Sequence, residues 1–430
     1  MRFFEDFKIS DGLAVHLWPT DKFRSVHLQV FLHNPLSDET VTFNNLLSAV
    51  LTRGTADYPE TRQFNTRLDE LYGASVSYAV SRRGERGLLS LWAGMADIET
   101  GGISPIKVLA RLLSSVMFDP AKNAEGLLRQ DYISQEKSGI ANDMAALRDD
   151  KDAWADFRLC ANMCKDEPYG IHPYGDDTLL KSIGPEPLTS WWSGVMPGFP
   201  ADIFAVGDFD VVEALDEIEK SFRGRIRGDS DPGPAFCRIQ QARAANFISE
   251  GADTVQAKLV IGWRAPTNWA DDSYPSHALA NHIFGQYSQS RLFMNVRERE
   301  GMAYSVGSRI EPTKGLIFAH AGIDAAKKDR AIEVMLAEQK ALAAGDVTEK
   351  ELDEAKKSMA LGIRMSADSP SALCGREMTG IVNKRRLTPE EAVARISGVT
   401  AEEVAKAASG WTLDTVFALM PEDAKKEAKA

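Results

Sequence analysis

Arg297 and Tyr304 stand seven residues apart in the run RLFMNVREREGMAYSVGSRIEPTKGLIFAHAG, which extends from Arg291 to Gly322. A guanidinium offers permanently charged donors in a fixed fork, and a phenol both donates and accepts. Converging on one space, the two would form a polar recognition site. The same pattern also describes a surface arginine and a half-buried tyrosine. Other groups with chemical potential are less well arranged. Cys160 and Cys164 are spaced i, i+4, yet no second close pair completes a four-ligand metal site. They read, with Cys237 and Cys374, as buried free thiols of a reducing cytoplasm. His277 and His282 are five residues apart, about 140° around a helix, which is poor geometry for one metal. His16, His27 and His33 lie along a first sheet without a carboxylate at ligand-like spacing.

The elements that must position Arg297 and Tyr304 follow from periodicity. Leu292, Phe293 and Val296 recur at helical spacing, and Gly301 is a C-terminal stop, so Arg297 falls on the last helical turn. Met302, Tyr304 and Val306 alternate as in a strand. A Pro-Thr-Lys-Gly turn at 312–315 then leads into a second strand over 316–321.

This helix, strand, strand unit echoes an earlier one. Gly73, Gly87 and Gly94 recur as Gly301, Gly315 and Gly322 at a constant offset of 228 positions, and upstream Pro35 and Gly54 recur as Pro266 and Gly285 at 231. The first half carries Asp69 and Val76 at the positions of Arg297 and Tyr304. Strands are expected from Phe3 to Leu32, then a core-facing helix over 42–52, a second helix over 61–72, and strands over 74–81 and 87–95. Helical blocks over 106–164 and 327–357 follow the two strand pairs, and final strands at 202–207 and 414–419 resemble each other. Duplication of a domain of about 210 residues is the simplest account, since the period is far beyond that of a solenoid. The expected domains are 1–222 and 246–430, joined by a Gly-, Pro- and Arg-rich linker at 223–245. Blocks of helices beside runs of strands predict an α+β fold of two homologous α/β sandwich domains, each a mostly antiparallel sheet covered by helices.

Composition agrees with a globular protein. The chain has 430 residues, 44% of them hydrophobic and 26% charged, and a net charge of −12 that argues against a nucleic-acid surface. No apolar run approaches the roughly 20 residues of a membrane helix, and acidic residues within MRFFEDFKISDG break any signal-peptide core, so a cytoplasmic location is expected.

The order of motifs, the duplication and the run SRLFMNVREREGMAYSV at 290–306 resemble the pitrilysin/insulinase/mitochondrial-processing-peptidase superfamily of zinc metallopeptidases, over essentially the whole chain. LDELYGASVSYAVSRRGE at 68–85 and DEPYGIHPYGDDTLLKSI at 166–183 are similar to the non-catalytic subunit of bacterial two-subunit members. The resemblance implies an inverted zinc motif, His-x-x-Glu-His, on the helix after the second strand, with Glu as general base. The matching helix reads Asn45-Leu46-Leu47-Ser48-Ala49, placed by the Arg53-Gly54-Thr55 that follows it. Neither imidazole nor the base is present. Glu136 and Asp143 stand near the family's third-ligand region but read as solvated helix charge.

The resemblance also implies that Arg297 and Tyr304 are the family's substrate-holding pair, which lies across a cavity from the metal and stabilises or positions the substrate carbonyl. The chain would then be a clamshell half that binds no cofactor, with zinc expected in a partner subunit. The partner it implies would be a zinc-bearing paralogue or a second copy of the chain, and the substrate an unstructured peptide. Two alternatives stand beside this: a catalytically silent scaffold homodimer, and an autonomous zinc peptidase using another site.

Overall fold

The computed structural model describes residues 4–99, 102–236 and 245–422; Cys237 and the rest of the linker stretch 237–244 lie outside the described residues. Two sheets and their helices account for most of the chain, giving the expected α+β architecture of two sheets covered by helices.

The first sheet contains β1 (Glu5–Ser10), β2 (Leu13–Pro19), β3 (Ser25–Pro35), β4 (Ser75–Arg83), β5 (Arg86–Ala96) and β6 (Ala201–Gly207). Their spatial order is β1-β2-β6-β3-β5-β4, antiparallel throughout except for β2 beside β6. The second sheet contains β7 (Asn246–Ala252), β8 (Ala257–Arg264), β9 (Ala303–Glu311), β10 (Leu316–Ile323) and β11 (Thr412–Pro421), in the order β7-β11-β8-β10-β9. Again one neighbouring pair is parallel, β7 with β11. The repeat is therefore topological as well as sequential, and β1 is an addition to the first sheet.

Packing against the first sheet explains its helices. In Asp38–Leu51 every residue from Thr40 onward is buried, far more than the amphipathic stripe expected from Phe43, Leu46, Leu47 and Val50. Ser37 caps it through a reciprocal capping box with Thr40, so the helix starts at Asp38, four residues before the sequence-based boundary. Leu46, Leu47, Leu51, Leu109, Leu113 and Met117 meet the strand residues Leu28, Val30 and Leu32 in one core.

Compact units form as Met1–Met144 with Ile171–Pro234, and as Ala145–Gly170 with Ala235–Ala430. The second unit thus recruits a segment from the first half of the sequence, which boundaries at 222 and 246 do not capture. Its helix Lys151–Met163 presents Ala155, Leu159, Cys160 and Met163 to Val260, Phe318 and Phe417 on β8, β10 and β11. Arg158 pairs with Glu250, Asp156 with Arg309 at 2.6 Å and Asp152 with Lys258 at 2.8 Å, so charges frame the apolar contact. Cys160, Cys164 and Cys374 are buried thiols outside any disulfide, as expected.

Candidate functional site

Arg297 and Tyr304 sit on consecutive irregular elements of the second unit. The helix expected over 292–300 forms, but as the wide segment Phe293–Arg299, in which Glu300 N–H donates five residues back to Asn295 O at 3.1 Å. Such wide turns are rare and concentrate at functional sites. Gly301 ends it with φ +56°, a conformation cheap for glycine. Met302 N–H returns to Val296 O at 3.0 Å, and the chain enters β9 directly.

Strand β9 is the edge of its sheet. Ser305 pairs with Gly322 and Ala303 with Ile323, so Tyr304 is the extra residue of a β-bulge, opposite nothing on β10. The first sheet differs. Its hairpin turns in two residues, Arg83 pairing with Arg86, whereas Glu311 pairs with Leu316 around the four-residue turn 312–315. Because β10 keeps the register on β8 that β5 keeps on β3, the longer turn slides β9 by two residues. Ser305 rather than Ala303 therefore occupies the pairing position of Ser75. The equivalence of Tyr304 with Val76, drawn from a constant offset, does not survive the strand pairing.

Both side chains are accessible. Tyr304 is 78% exposed, unusual for so large a ring, and the Arg297 side chain is 42% exposed. Arg297 lies over the Phe293 ring at 4.7 Å and approaches its neighbour Glu298 at 3.5 Å, in solvent where such a pair is worth little. Arg291, six residues earlier, is the contrast: a two-pronged pair with Glu351 at 2.7 and 2.8 Å leaves its side chain 10% exposed. Arg291 is committed to structure, while Arg297 has its fork available.

The positions of the missing metal motif have been put to structural use. Asn45, Ser48 and Ala49 are all buried. Asn45 donates to Val41 O at 2.9 Å and to Pro173 O at 3.1 Å, and Ser48 to Asn44 O at 2.7 Å. The loop carrying Pro173 lies against this helix: Asp176 N–H donates to Thr42 Oγ1 at 2.8 Å, and at Gly175, φ +82°, a Cβ would stand 2.1 Å from that oxygen. Glu136 is ion-paired with Arg53 and only 17% exposed, which corrects its reading as solvated charge, while Asp143 is exposed as expected. These residues do not fit a zinc ion. Among the described residues, no three His, Cys, Asp or Glu side chains are grouped to hold a metal.

Restoring the motif by Asn45→His, Ser48→Glu and Ala49→His together is expected to leave the chain without stoichiometric zinc, because larger side chains meet a closed, buried face. Metal analysis of the purified variant checks this; one zinc per chain would show that the face can open.

The remaining histidines have separate partners. His277 accepts from Trp411 Nε1 at 3.0 Å, and burial pushes its pKa down to about 4, whereas His282 contacts Ser358 and stacks on Tyr287. Sequence spacing missed a carboxylate among the first-sheet histidines. Asp202 on β6 accepts from His16 Nε2 at 2.7 Å and from His33 Nε2 at 2.6 Å, and Asp6 accepts from His16 Nδ1 at 2.7 Å. The repeat held the signal: offset 231 carries His33 onto Arg264, which pairs with Asp414 as His33 pairs with Asp202.

A profile described as "Peptidase M16 inactive domain" matches residues 200–359. The chain is 30% identical over 412 residues to a "probable inactive metalloprotease YmfF" of Bacillus subtilis, covering 95% of this chain and 96% of that one. In fold it is similar to a conserved protein from Enterococcus faecalis, at a TM-score of 0.89 and 24% identity over 98% of this chain and 99% of the other. It is also similar to a peptidase M16 inactive domain from Pseudomonas fluorescens, at a TM-score of 0.78 and 17% identity, over 97% and 98% of the two chains.

Proposed function

Since this chain belongs to the peptidase M16 family, among its inactive members, we propose that it is the non-catalytic, substrate-binding subunit of a two-chain zinc peptidase acting on unstructured peptides in the cytoplasm. Among the described residues no helix is long and apolar enough to cross a membrane. The observation that carries the reading is the pairing of a closed metal-motif face with an open Arg297 and Tyr304. A chain kept only as a scaffold has no use for an uncommitted guanidinium beside a 78% exposed tyrosine on a bulged edge strand. An edge strand also presents unpaired backbone N–H and C=O groups, the means by which an extended peptide is held as an added strand. Arg297 would donate to the peptide carbonyl, and Tyr304 would fix its orientation, while a zinc-bearing paralogue supplies the metal and the base.

Peptide hydrolysis by the purified chain, by a paralogue with an intact zinc motif, and by their mixture tests this. Activity is expected in the mixture only. Arg297→Ala or Tyr304→Phe should then lower it at least about tenfold, roughly 1.4 kcal/mol of transition-state stabilisation, with assembly intact by gel filtration. Equal activity of the paralogue alone and the mixture would overturn the proposal. Silence of both substitutions alongside a stable homodimer would support the scaffold instead.

A further inference from the structure

A cavity of about 100 Å³ opens within the second unit among the helices Tyr274–Asn281, Glu349–Ser366, Pro370–Val382 and Pro389–Ser397. Its wall is apolar where Ala278, Met359, Ile363 and Ile396 meet, and aromatic at Trp269 and Tyr274. Two arginines also line it, Arg376 and Arg395.

Each guanidinium is anchored at one side and open at the other. Arg376 Nε donates to Leu387 O at 3.4 Å, and its plane lies 5.7 Å from the Trp269 ring, which is itself fixed by Trp269 Nε1 donating to Arg385 O at 2.8 Å. Arg395 Nη2 donates to Asp271 O at 3.0 Å. The other terminal nitrogens, Arg376 Nη2 and Arg395 Nη1, are buried and have no hydrogen-bond partner among the described residues. A buried, unmet donor on a charged group carries its full desolvation penalty.

The acids nearby do not remove the cost. Asp272, 3.5 Å from Arg395, is 93% exposed and is shared with Arg385; Glu390 is exposed; and Glu377 is taken by Arg386 at 2.7 Å. Burial lowers the proton affinity of both guanidinium groups, and for Arg395 the neighbouring Arg385 charge lowers it further. Water in the cavity would satisfy the donors without offsetting two desolvated cations. A carboxylate does both, because its two oxygens can each accept from one guanidinium in a charge-assisted bond.

We propose that this cavity, with Arg376 Nη2 and Arg395 Nη1 unmet beside an apolar wall, binds a carboxylate attached to a short apolar body. Two sources share that chemistry: a free short-chain fatty acid, and the terminal carboxylate of a peptide ending in a small apolar residue. The site involves none of the residues assigned to the peptide-holding role, so it stands or falls independently of that role.

Titration calorimetry of the full chain at constant ionic strength uses butyrate and the uncharged isostere butyramide as probes, with N-acetyl-Ala-Val and its C-terminal amide as the peptide pair. Saturable binding of an acid and not of its amide is expected, and whichever acid binds more tightly identifies the source. Arg376→Met and Arg395→Met should each weaken binding at least about tenfold. Ala278→Leu keeps both arginines but fills the cavity, so it should also abolish binding and guards against a variant that fails to fold. Acid and amide binding alike, no saturation by any acid, or undiminished binding in Ala278→Leu would overturn the proposal.

Discussion

Replacing Glu167 by alanine is expected to destabilise the second unit by about 3–5 kcal/mol, the usual cost of removing one partner from a buried charge cluster. Glu167 accepts from Arg264 Nη2 and contacts Lys314 Nζ, both at 2.6 Å, and Arg264 also donates to Asp414 at 2.7 Å and to Met163 O at 2.7 Å. The Lys314 side chain is completely buried and that of Arg264 only 7% exposed. Burial opposes charge on Glu167, but the bonds from Arg264 and Lys314 outweigh it and hold its carboxyl below the usual range. Taking the carboxylate away strips Arg264 and Lys314 of the acid they share in a site that water enters poorly, and it also removes one of the polar anchors of the 145–170 segment. Glu167→Ala with Lys314→Met should recover part of the loss, since the buried ammonium goes with the carboxylate that faces it. Chemical denaturation of the single and double variants checks both; equal destabilisation by the two would show that the cost lies in something other than buried charge.

That cluster marks where reading the sequence stops working. Strand and helix existence was legible because each element has one clear period: Val26, Leu28 and Val30 alternate into the core, and Phe43, Leu46, Leu47 and Val50 repeat as a helix. Duplication was legible because glycines at turns recur at fixed offset. The adoption of Ala145–Gly170 by the second unit was not, because the apolar stripe of Lys151–Met163 states that the helix is buried but not against which sheet. Deciding that takes Asp152, Asp156 and Arg158 meeting Lys258, Arg309 and Glu250 about a hundred residues away or more. The bulge at Tyr304 was hidden for a related reason. Alternation of Met302, Tyr304 and Val306 suggests a regular strand, and only pairing with β10 reveals the extra residue. The cavity between Arg376 and Arg395 has no local signature at all, since surface helices carry arginines at such spacing routinely.

Asp202→Asn carries the other large effect, and its size should depend on pH. Ionised carboxylates only accept, so His16, donating from both ring nitrogens to Asp6 and Asp202, is held as the imidazolium. Burial disfavours that charge, but the bonds to Asp202 and Asp6 prevail and raise the His16 pKa above its ordinary 6.5. Burial likewise opposes ionisation of Asp202, and the bonds from His16 and His33 prevail, leaving its carboxyl far below the usual range. The raised histidine contributes stability that is fully present below pH 6.5 and is lost as pH climbs through its folded value. The depressed acid contributes above 3.8 and loses its share only as pH falls well beneath that. Between those limits the cluster is at full strength. The amide variant removes the charge that outweighs burial, while Phe204 still stacks on His16 at 4.5 Å and Arg86 still approaches His33 at 3.4 Å. Only the partly exposed Asp6 then supports the cation. The variant should therefore lose about 3–5 kcal/mol near pH 6, and less near pH 8, because the stability that a raised histidine contributes declines as pH rises above 6.5. Denaturation curves at the two pH values decide it: a gap that stays constant would mean that His16 is neutral in the native protein, and that the carboxylate acts on packing alone.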